Sequence, residues 1–525
     1  MNALAGAISY REFVSGLRLR GIQVEETNGK DFPANAAMHD RAAVVPDVIV
    51  SPCSEWGVAQ TLQLMVESGL QGKVPLSVKS GGHGYFNGAT CTGVMINLTG
   101  MTQRRIVGDT LFLEPGCVLG QTVNILAKNR KAVPHGDCFG VGAGGHFLTA
   151  GWDLILGRKY GLGCQSVVGG RVVLWDGTVI DVDEQGHPDL LLAMRGGAIA
   201  GVGVVTEIRL QLIVEPALAT WRFTRITREQ LATCVANDFF ARSATLIQEV
   251  SVSVRIQFEP DQLAPVCSFN VVSLLTAEAT VRVLRETLGD EVTDIVADLP
   301  AWSEKTLVDL RMLPASDFLT AHPEMLGEVT GEALHANPLL WQQTSSIREM
   351  ASSYFTSISN WVVPDCEPIL LDLYAAFESV QEHPLRARMY THVILGGGRM
   401  TELQESCSMP LGQALARFEL HWDHPETEES WSRNFTDKVH SILLSRQDPE
   451  PERPYRGDIW LPEQAYDPRL EAIRKAYDRS GDVTDKVHSI LLSQQDSVPE
   501  RPYRGDVWVF EKDVQPALGG HLQGE

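Results

Sequence analysis

The chain is poor in basic residues, has no long apolar run and shows no paired-cysteine signature, and each shortage closes a class of function. Lysine and arginine number 44 against 66 aspartates and glutamates, a formal net charge of -22. A nucleic-acid partner would need a basic footprint for the phosphate backbone, so none is expected. No stretch of about 18 consecutive apolar residues occurs, so no membrane span is expected. The first ten residues, MNALAGAISY, lack a charged region followed by a long apolar core; no signal peptide is read there, and a cytoplasmic location is expected. The nine cysteines follow neither CxxC nor disulfide-scaffold spacing. An odd number without a secretion signal fits reduced thiols, one of which is chemically special.

What is present points to a folded protein of more than one unit. A chain of 525 residues exceeds the size of a single core, and two domains are expected. The first spans residues 1–212. It opens with an amphipathic helix over 54–68, whose Val58, Leu62, Met65 and Val66 share a face, followed by an alternating strand over 74–79. Further strands are read at 94–98, 111–114 and 167–175. Together these give one α+β unit. The second domain spans 213–430. Glycine is sparse there, and helices at 277–288 and 368–380 alternate with strands at 249–258 and 387–395. Its one glycine cluster, Gly396-Gly397-Gly398, reads as a turn or bulge rather than a ligand contact. Residues 436–460 recur at 484–508 with 21 of 25 positions identical. Two copies do not make a solenoid, so the repeat reads as a local duplication and residues 481–525 as a duplicated tail.

The chemistry concentrates in two glycine-dense loops. Ser80-Gly81-Gly82-His83 follows the strand at 74–79, and Gly136-Asp137-Cys138-Phe139-Gly140-Val141-Gly142-Ala143-Gly144-Gly145-His146 follows 55 residues later, counted from His83 to Cys138. Glycines after a strand let successive N–H groups approach an anion, so Ser80, Gly81 and Gly82 suit a pyrophosphate, with the Ser80 hydroxyl adding a donor. Neither loop carries the GxGxxG pattern with an acid about twenty residues on. Each loop also carries one nucleophile. A metal site would need three or four converging ligands, and few besides His135 and His146 stand nearby. Hydrolytic Cys-His catalysis remains open at this level, but leaves the phosphate-type loops unexplained.

These loops, with Arg158-Lys159-Tyr160-Gly161-Leu162 and the run from Asp189 to Thr206 containing Arg195-Gly196-Gly197 and Gly203-Val204-Val205-Thr206, resemble the berberine-bridge-enzyme-like oxidases of the vanillyl-alcohol-oxidase/p-cresol-methylhydroxylase flavoproteins. The likeness covers roughly residues 45–212. It resumes weakly at 470–478, which looks like the family's C-terminal helix returning to the FAD domain, so 431–480 is assigned to that return. The resemblance implies an α+β, two-domain PCMH-type fold, with an α/β FAD domain and a substrate domain whose antiparallel sheet covers the flavin. It implies FAD held by Lys79, Ser80, Gly81, Gly82, His83 and Gly84, and by Cys138, Val141, Gly142, Gly144, Gly145, His146 and Gly151. Val205 would make a backbone contact near the adenine. His83 and Cys138 match the positions that bond the flavin in the bicovalent branch. Two such bonds raise the flavin potential and suit alcohol-level oxidation.

The resemblance thins where the proton acceptor should be. Many relatives carry Asn-Tyr-x-Asp near the C-terminus, whereas around Arg456-Gly457-Asp458-Ile459-Trp460-Leu461-Pro462-Glu463 no register restores both Asn and Tyr. Tyr455 serves only if that loop is shifted. Tyr390 and His392 share one face of a second-domain strand by period-2 alternation and are the other candidates. The expected function is an FAD-dependent oxidase acting on a small-molecule alcohol or sugar-like hydroxyl, with O2 as electron acceptor and H2O2 as product. Oxidative cyclisation or desaturation, or flavin binding without turnover, are the alternatives.

Overall fold

The structure is a computed structural model and describes residues 2–30, 32, 36, 41, 43–82, 89–136, 141–259, 262–297, 302–312, 354–362, 367–408, 411–445 and 468–477. Its first sheet has the order Gln23–Glu26, Val48–Ser51, Val94–Asn97, Leu76–Lys79, parallel except at the Gln23–Glu26 edge. Central parallel strands lie buried on both faces, which is why Val94, Met95 and Ile96 form an uninterrupted apolar run. The helix Glu55–Glu67 covers one face, capped by Ser54, whose hydroxyl accepts the Gly57 N–H at 3.2 Å. Val58, Leu62 and Met65 pack against Val48, Val50, Val94 and Ile96. Val66, expected on that face, falls at the edge of the stripe and is exposed.

A second sheet, fully antiparallel, runs Arg104–Val107, Thr110–Leu113, Gly203–Gln211, Val167–Leu174, Val179–Val182. The first 212 residues thus contain two sheets with separate cores rather than one. Side-chain alternation joins them: Val173 and Val204 point into the first core, while Val172 and Val205 point into the second.

The third sheet is antiparallel and seven-stranded, in the order Ser303–Lys305, Ala219–Ile226, Val266–Ser273, Val250–Gln257, Met389–Leu395, Ala414–Trp422, Tyr354–Val362. One face is apolar, presenting Val252, Val254, Ile256, Phe269, Val393 and Phe418 to the helices Ala277–Leu288, Glu367–Glu378 and Pro425–Leu444. The expected domain boundary at 430 falls inside the last of these helices. Phe435, Val439 and Leu443, spaced by four, bury that helix in the seven-stranded sheet's core, so the chain leaves this core later than composition suggested. The first repeat copy therefore supplies a docked helix, while the second copy lies outside the described residues. The helix Pro468–Tyr477 does pack on the first half of the chain. Leu470 and Ile473 join the core of Leu190, Met194 and Ile199, and the Tyr477 hydroxyl meets His187 Nδ1 at 2.8 Å and Asp189 at 3.0 Å.

The opposite face of the seven-stranded sheet is polar and turns toward the first half of the chain. Leu415, on that face, packs with Ala150, Leu162 and Cys164, and the buried Cys164 and Cys407 sulfurs stand 3.8 Å apart across the seam. Buried Arg158 clamps the seam by donating to the carbonyls of Leu246, Ile247, Val250 and Gly396. A Cβ on Gly398 would lie 2.5 Å from the Arg158 carbonyl. The glycine cluster thus lets two parts of the protein approach each other. Among the described residues no helix is long and apolar enough to cross a membrane.

Three consecutive non-glycine residues, Ala198, Ile199 and Ala200, take φ of 44°, 61° and 53°. Left-handed backbone costs roughly 1–2 kcal/mol for each such residue. Ala198→Gly is therefore expected to raise stability by about 1 kcal/mol, read as a higher thermal midpoint. An unchanged or lower midpoint would show that the strain is already relieved locally.

Candidate flavin and substrate site

The two glycine loops meet. A Cβ on Gly142 would come within 2.2 Å of the Gly81 nitrogen and 2.4 Å of Ser80 Oγ, so only glycine permits this approach. Ser80 joins the loops through its hydroxyl, which donates to the Pro115 carbonyl and accepts the Gly144 N–H at 3.2 Å. The expected role of that hydroxyl as a pyrophosphate donor is thus replaced by loop-to-loop bonding. Gly82 adopts φ +70°, and the N–H groups of Gly81, Gly82 and Gly145 have no acceptor among the described residues. The space beside the Gly145 α-carbon is open to 4 Å. Unpartnered N–H groups on touching glycine loops fit the pyrophosphate of a dinucleotide such as FAD.

The remaining expected cofactor positions take varied places. His83, Gly84 and Cys138 lie outside the described residues. Lys79 is buried at the end of its strand, and the Val141 carbonyl accepts the Leu119 N–H at 2.9 Å. His146 is spent structurally: its Nε2 accepts the Gly136 N–H at 3.2 Å, bracing the chain two residues before Cys138. Gly151, at φ +74°, packs against Gly163. Val205 sits in the second sheet opposite Val172, just before a β-bulge. The same loop is held by a buried cluster of which the sequence singled out only His135. Arg311 pairs with Asp153 and bonds His135 Nε2 at 2.7 Å, while His135 Nδ1 donates to the Gly136 carbonyl at 2.6 Å. Burial, then the Arg311 charge, holds His135 well below its ordinary pKa, consistent with the neutral tautomer those bonds require.

Across the seam, register aligns the polar sheet face. Tyr390 lies opposite Gln257 and Glu419, and His392 lies between Arg255 and Arg417. The Tyr390 hydroxyl donates to Glu419, which also pairs with Arg417 and lies 3.7 Å from His421 Nε2. The Arg255 guanidinium carbon sits 4.2 Å from the centre of the Tyr390 ring. His392 is less suited to accept a proton than its sequence position promised. Burial first, then Arg255 and Arg417, push it down to about 3. A group that weakly basic is poorly matched to an alcohol proton near neutral pH. Tyr455 lies outside the described residues. Glu419, Arg255 and Arg417 were missed in the sequence, although the alternations Val250-Ser251-Val252-Ser253-Val254-Arg255-Ile256-Gln257 and Ala414-Leu415-Ala416-Arg417-Phe418-Glu419-Leu420-His421 carry the signal.

Depressed histidines make stability acid-sensitive. His146 and His421 are lowered to about 4 and His392 to about 3, in each case chiefly by burial. Because the unfolded chain takes up these protons first, the contribution is complete above the unfolded value near 6.5 and falls as pH drops toward 4. Each histidine is expected to cost ~1–2 kcal/mol between pH 6.5 and 5. The thermal midpoint should be lower at pH 5 than at pH 7; an equal midpoint would contradict the assignment.

A protein-family model described as FAD binding domain matches residues 46–183. Chitooligosaccharide oxidase of Gibberella zeae is 35% identical over 30% of this chain and 32% of its own length. Glucooligosaccharide oxidase of Sarocladium strictum is 29% identical over 37% of this chain and 39% of its own. The matches thus span about a third of these curated relatives' own length. The solved structure of BBE-like #28 from Arabidopsis thaliana superposes with a TM-score of 0.72 at 17% identity, covering 90% of this chain and 97% of that one. That likeness extends the fold to both halves. Residues 46–183 thus match an FAD binding domain, and the chain as a whole has the fold of the solved berberine-bridge-enzyme-like structure.

Proposed function

We propose that the protein is an FAD-dependent oxidase of a small-molecule alcohol or sugar-like hydroxyl, with the Tyr390–Glu419 pair as proton acceptor. The observation that carries the reading is the Tyr390 hydroxyl bonded to Glu419 on the sheet face turned to the flavin-binding half. Gly81, Gly82 and Gly145 would hold the FAD pyrophosphate, and His83 and Cys138 would attach the ring covalently. Bound there, FAD supplies a two-electron acceptor for the carbinol hydride and returns both electrons to O2 as H2O2.

The protein's own part is the proton. A substrate hydroxyl bound at the phenol oxygen of Tyr390 gives its proton to that oxygen as the phenolic proton passes to Glu419. The Arg417 charge on Glu419 steadies the carboxylate before transfer, and the Arg255 charge over the Tyr390 ring stabilises negative charge developing on the phenol oxygen. Sugar-directed chemistry is supported by the two relatives named as oligosaccharide oxidases.

Oxygen consumption by the purified protein against a panel of mono- and oligosaccharides and benzylic alcohols tests the reading. One H2O2 formed for each O2 consumed supports it, and no consumption with flavin-loaded protein overturns it. Attachment is read separately. Acid-denatured protein should retain its flavin on tryptic peptides containing His83 and Cys138, whereas flavin free in the supernatant would contradict the covalent bonds.

A further inference from the structure

Among the described residues Arg255 is a charge without a carboxylate partner, on the sheet face of the proposed reaction. Its strand puts it on the polar face with Ser251, Ser253 and Gln257. The neighbouring cation, Arg417, is balanced by Glu419. Among the described residues Arg255 has no such carboxylate. Among the described residues nothing accepts a hydrogen bond from its guanidinium, and its Nε is shut away from solvent. His392, directly opposite in register, likewise has a buried Nε2 without a partner. Arginine stays charged under these conditions. A charge partly withdrawn from water without a counter-ion is destabilising, so an arrangement of this kind is stabilised by an anion that arrives with a ligand.

The position of that anion is set by the sheet. Arg255 and His392 sit on adjacent strands, about 5 Å apart, and His392 is two residues from Tyr390, about 7 Å along the strand. An anion held there lies a few bonds from a hydroxyl at Tyr390, within the reach of one small molecule. The fork of Arg255 suits a planar carboxylate.

We propose that Arg255, assisted by His392, forms a subsite for a carboxylate on the substrate, so that the preferred substrates are hydroxy acids such as uronate-type sugars or hydroxyl-bearing aromatic acids. This rests on the Tyr390–Glu419 reading for the location of the reacting hydroxyl. Pairing the guanidinium with a carboxylate supplies the missing counter-ion and orients the hydroxyl toward Tyr390 together.

The test is a binding titration of the full-length, flavin-loaded protein, read as perturbation of the flavin absorbance spectrum. The probes are benzoate against benzamide and galacturonate against galactose. The anionic member of each pair is expected to bind ~10–100-fold tighter, a charge-assisted bond's contribution, with the preference shrinking as salt is raised. Arg255→Met should abolish the preference, and Arg255→Lys should retain part of it, with flavin content and thermal midpoint confirming that both variants fold. Equal affinities in the parent protein, or equal losses for anionic and neutral probes in Arg255→Met, would overturn the subsite. The outcome is separable from the oxidase reading: a protein that binds galacturonate selectively but is reduced by no alcohol retains the subsite and loses the reaction.

Discussion

Glu419→Gln is expected to lower the rate constant of flavin reduction by about 10²–10⁴-fold, the range spanned by loss of a positioned acid–base group, while flavin content stays at the parent level. The argument starts from the phenol. A tyrosine alone is a poor proton acceptor near neutral pH, because its neutral form must shed a proton as it gains one. In this protein the Tyr390 hydroxyl already donates to Glu419. The amide that replaces the carboxylate would offer only a neutral oxygen that cannot hold the proton. Tyr390→Phe should fall to a similar rate, and the double variant should fall little further, since two residues acting as one relay are strongly non-additive. His392→Gln provides the contrast. A histidine lowered to about 3 takes no proton in the working range, so its replacement should leave the pH dependence of flavin reduction as it is in the parent. A changed pH dependence in His392→Gln would transfer the role of base to His392.

Arg158→Leu is expected to cost about 3–5 kcal/mol, a loss of the size seen when a buried polar network is broken. Arg158 comes from the flavin-binding half, and its acceptors come from the other: Leu246 at 2.9 Å, Ile247 at 3.3 Å, Gly396 at 3.0 Å, and Val250. Leucine fills part of the volume but strands the carbonyls. The damage should appear as parting of the halves rather than simple loss of folding. The single thermal transition should split, the flavin should become accessible to quencher before global unfolding, and cleavage near the Leu246–Val250 segment should accelerate. Arg158→Lys should recover only part of the loss, because one ammonium cannot span the acceptors of a planar fork. A variant with the parent's midpoint and quenching would show that Arg158 does not hold the seam.

The parts of the fold that could be read from the sequence are those where local chemistry decides. Ser54 caps its helix within one residue of the expected start, and the alternating runs at 249–258 and 387–395 became the strands Val250–Gln257 and Met389–Leu395. The glycine loops were recognisable because glycine is scarce where side chains must pack. Other features depended on partners distant in sequence. Whether Ser80 served a ligand or Pro115 could not be known before Pro115 was brought 35 residues back to meet it. The helix across residue 430 declared itself only through the core it enters. Glu419 was hidden by the same rule, since its acid is meaningful only once Met389–Leu395 pairs beside it and presents Tyr390. The surroundings of His392 were hidden in the same way: two arginines flank it from strands that begin more than a hundred residues apart.

Anaerobic mixing of the flavin-loaded protein with a panel of sugars, uronates and benzylic alcohols, followed by admission of air, tests the oxidase proposal most directly. At least one compound should bleach the oxidised flavin band, and air should restore the band with one H2O2 released per flavin. A protein whose flavin stays oxidised with every compound, yet is bleached and reoxidised normally after chemical reduction, would contradict it.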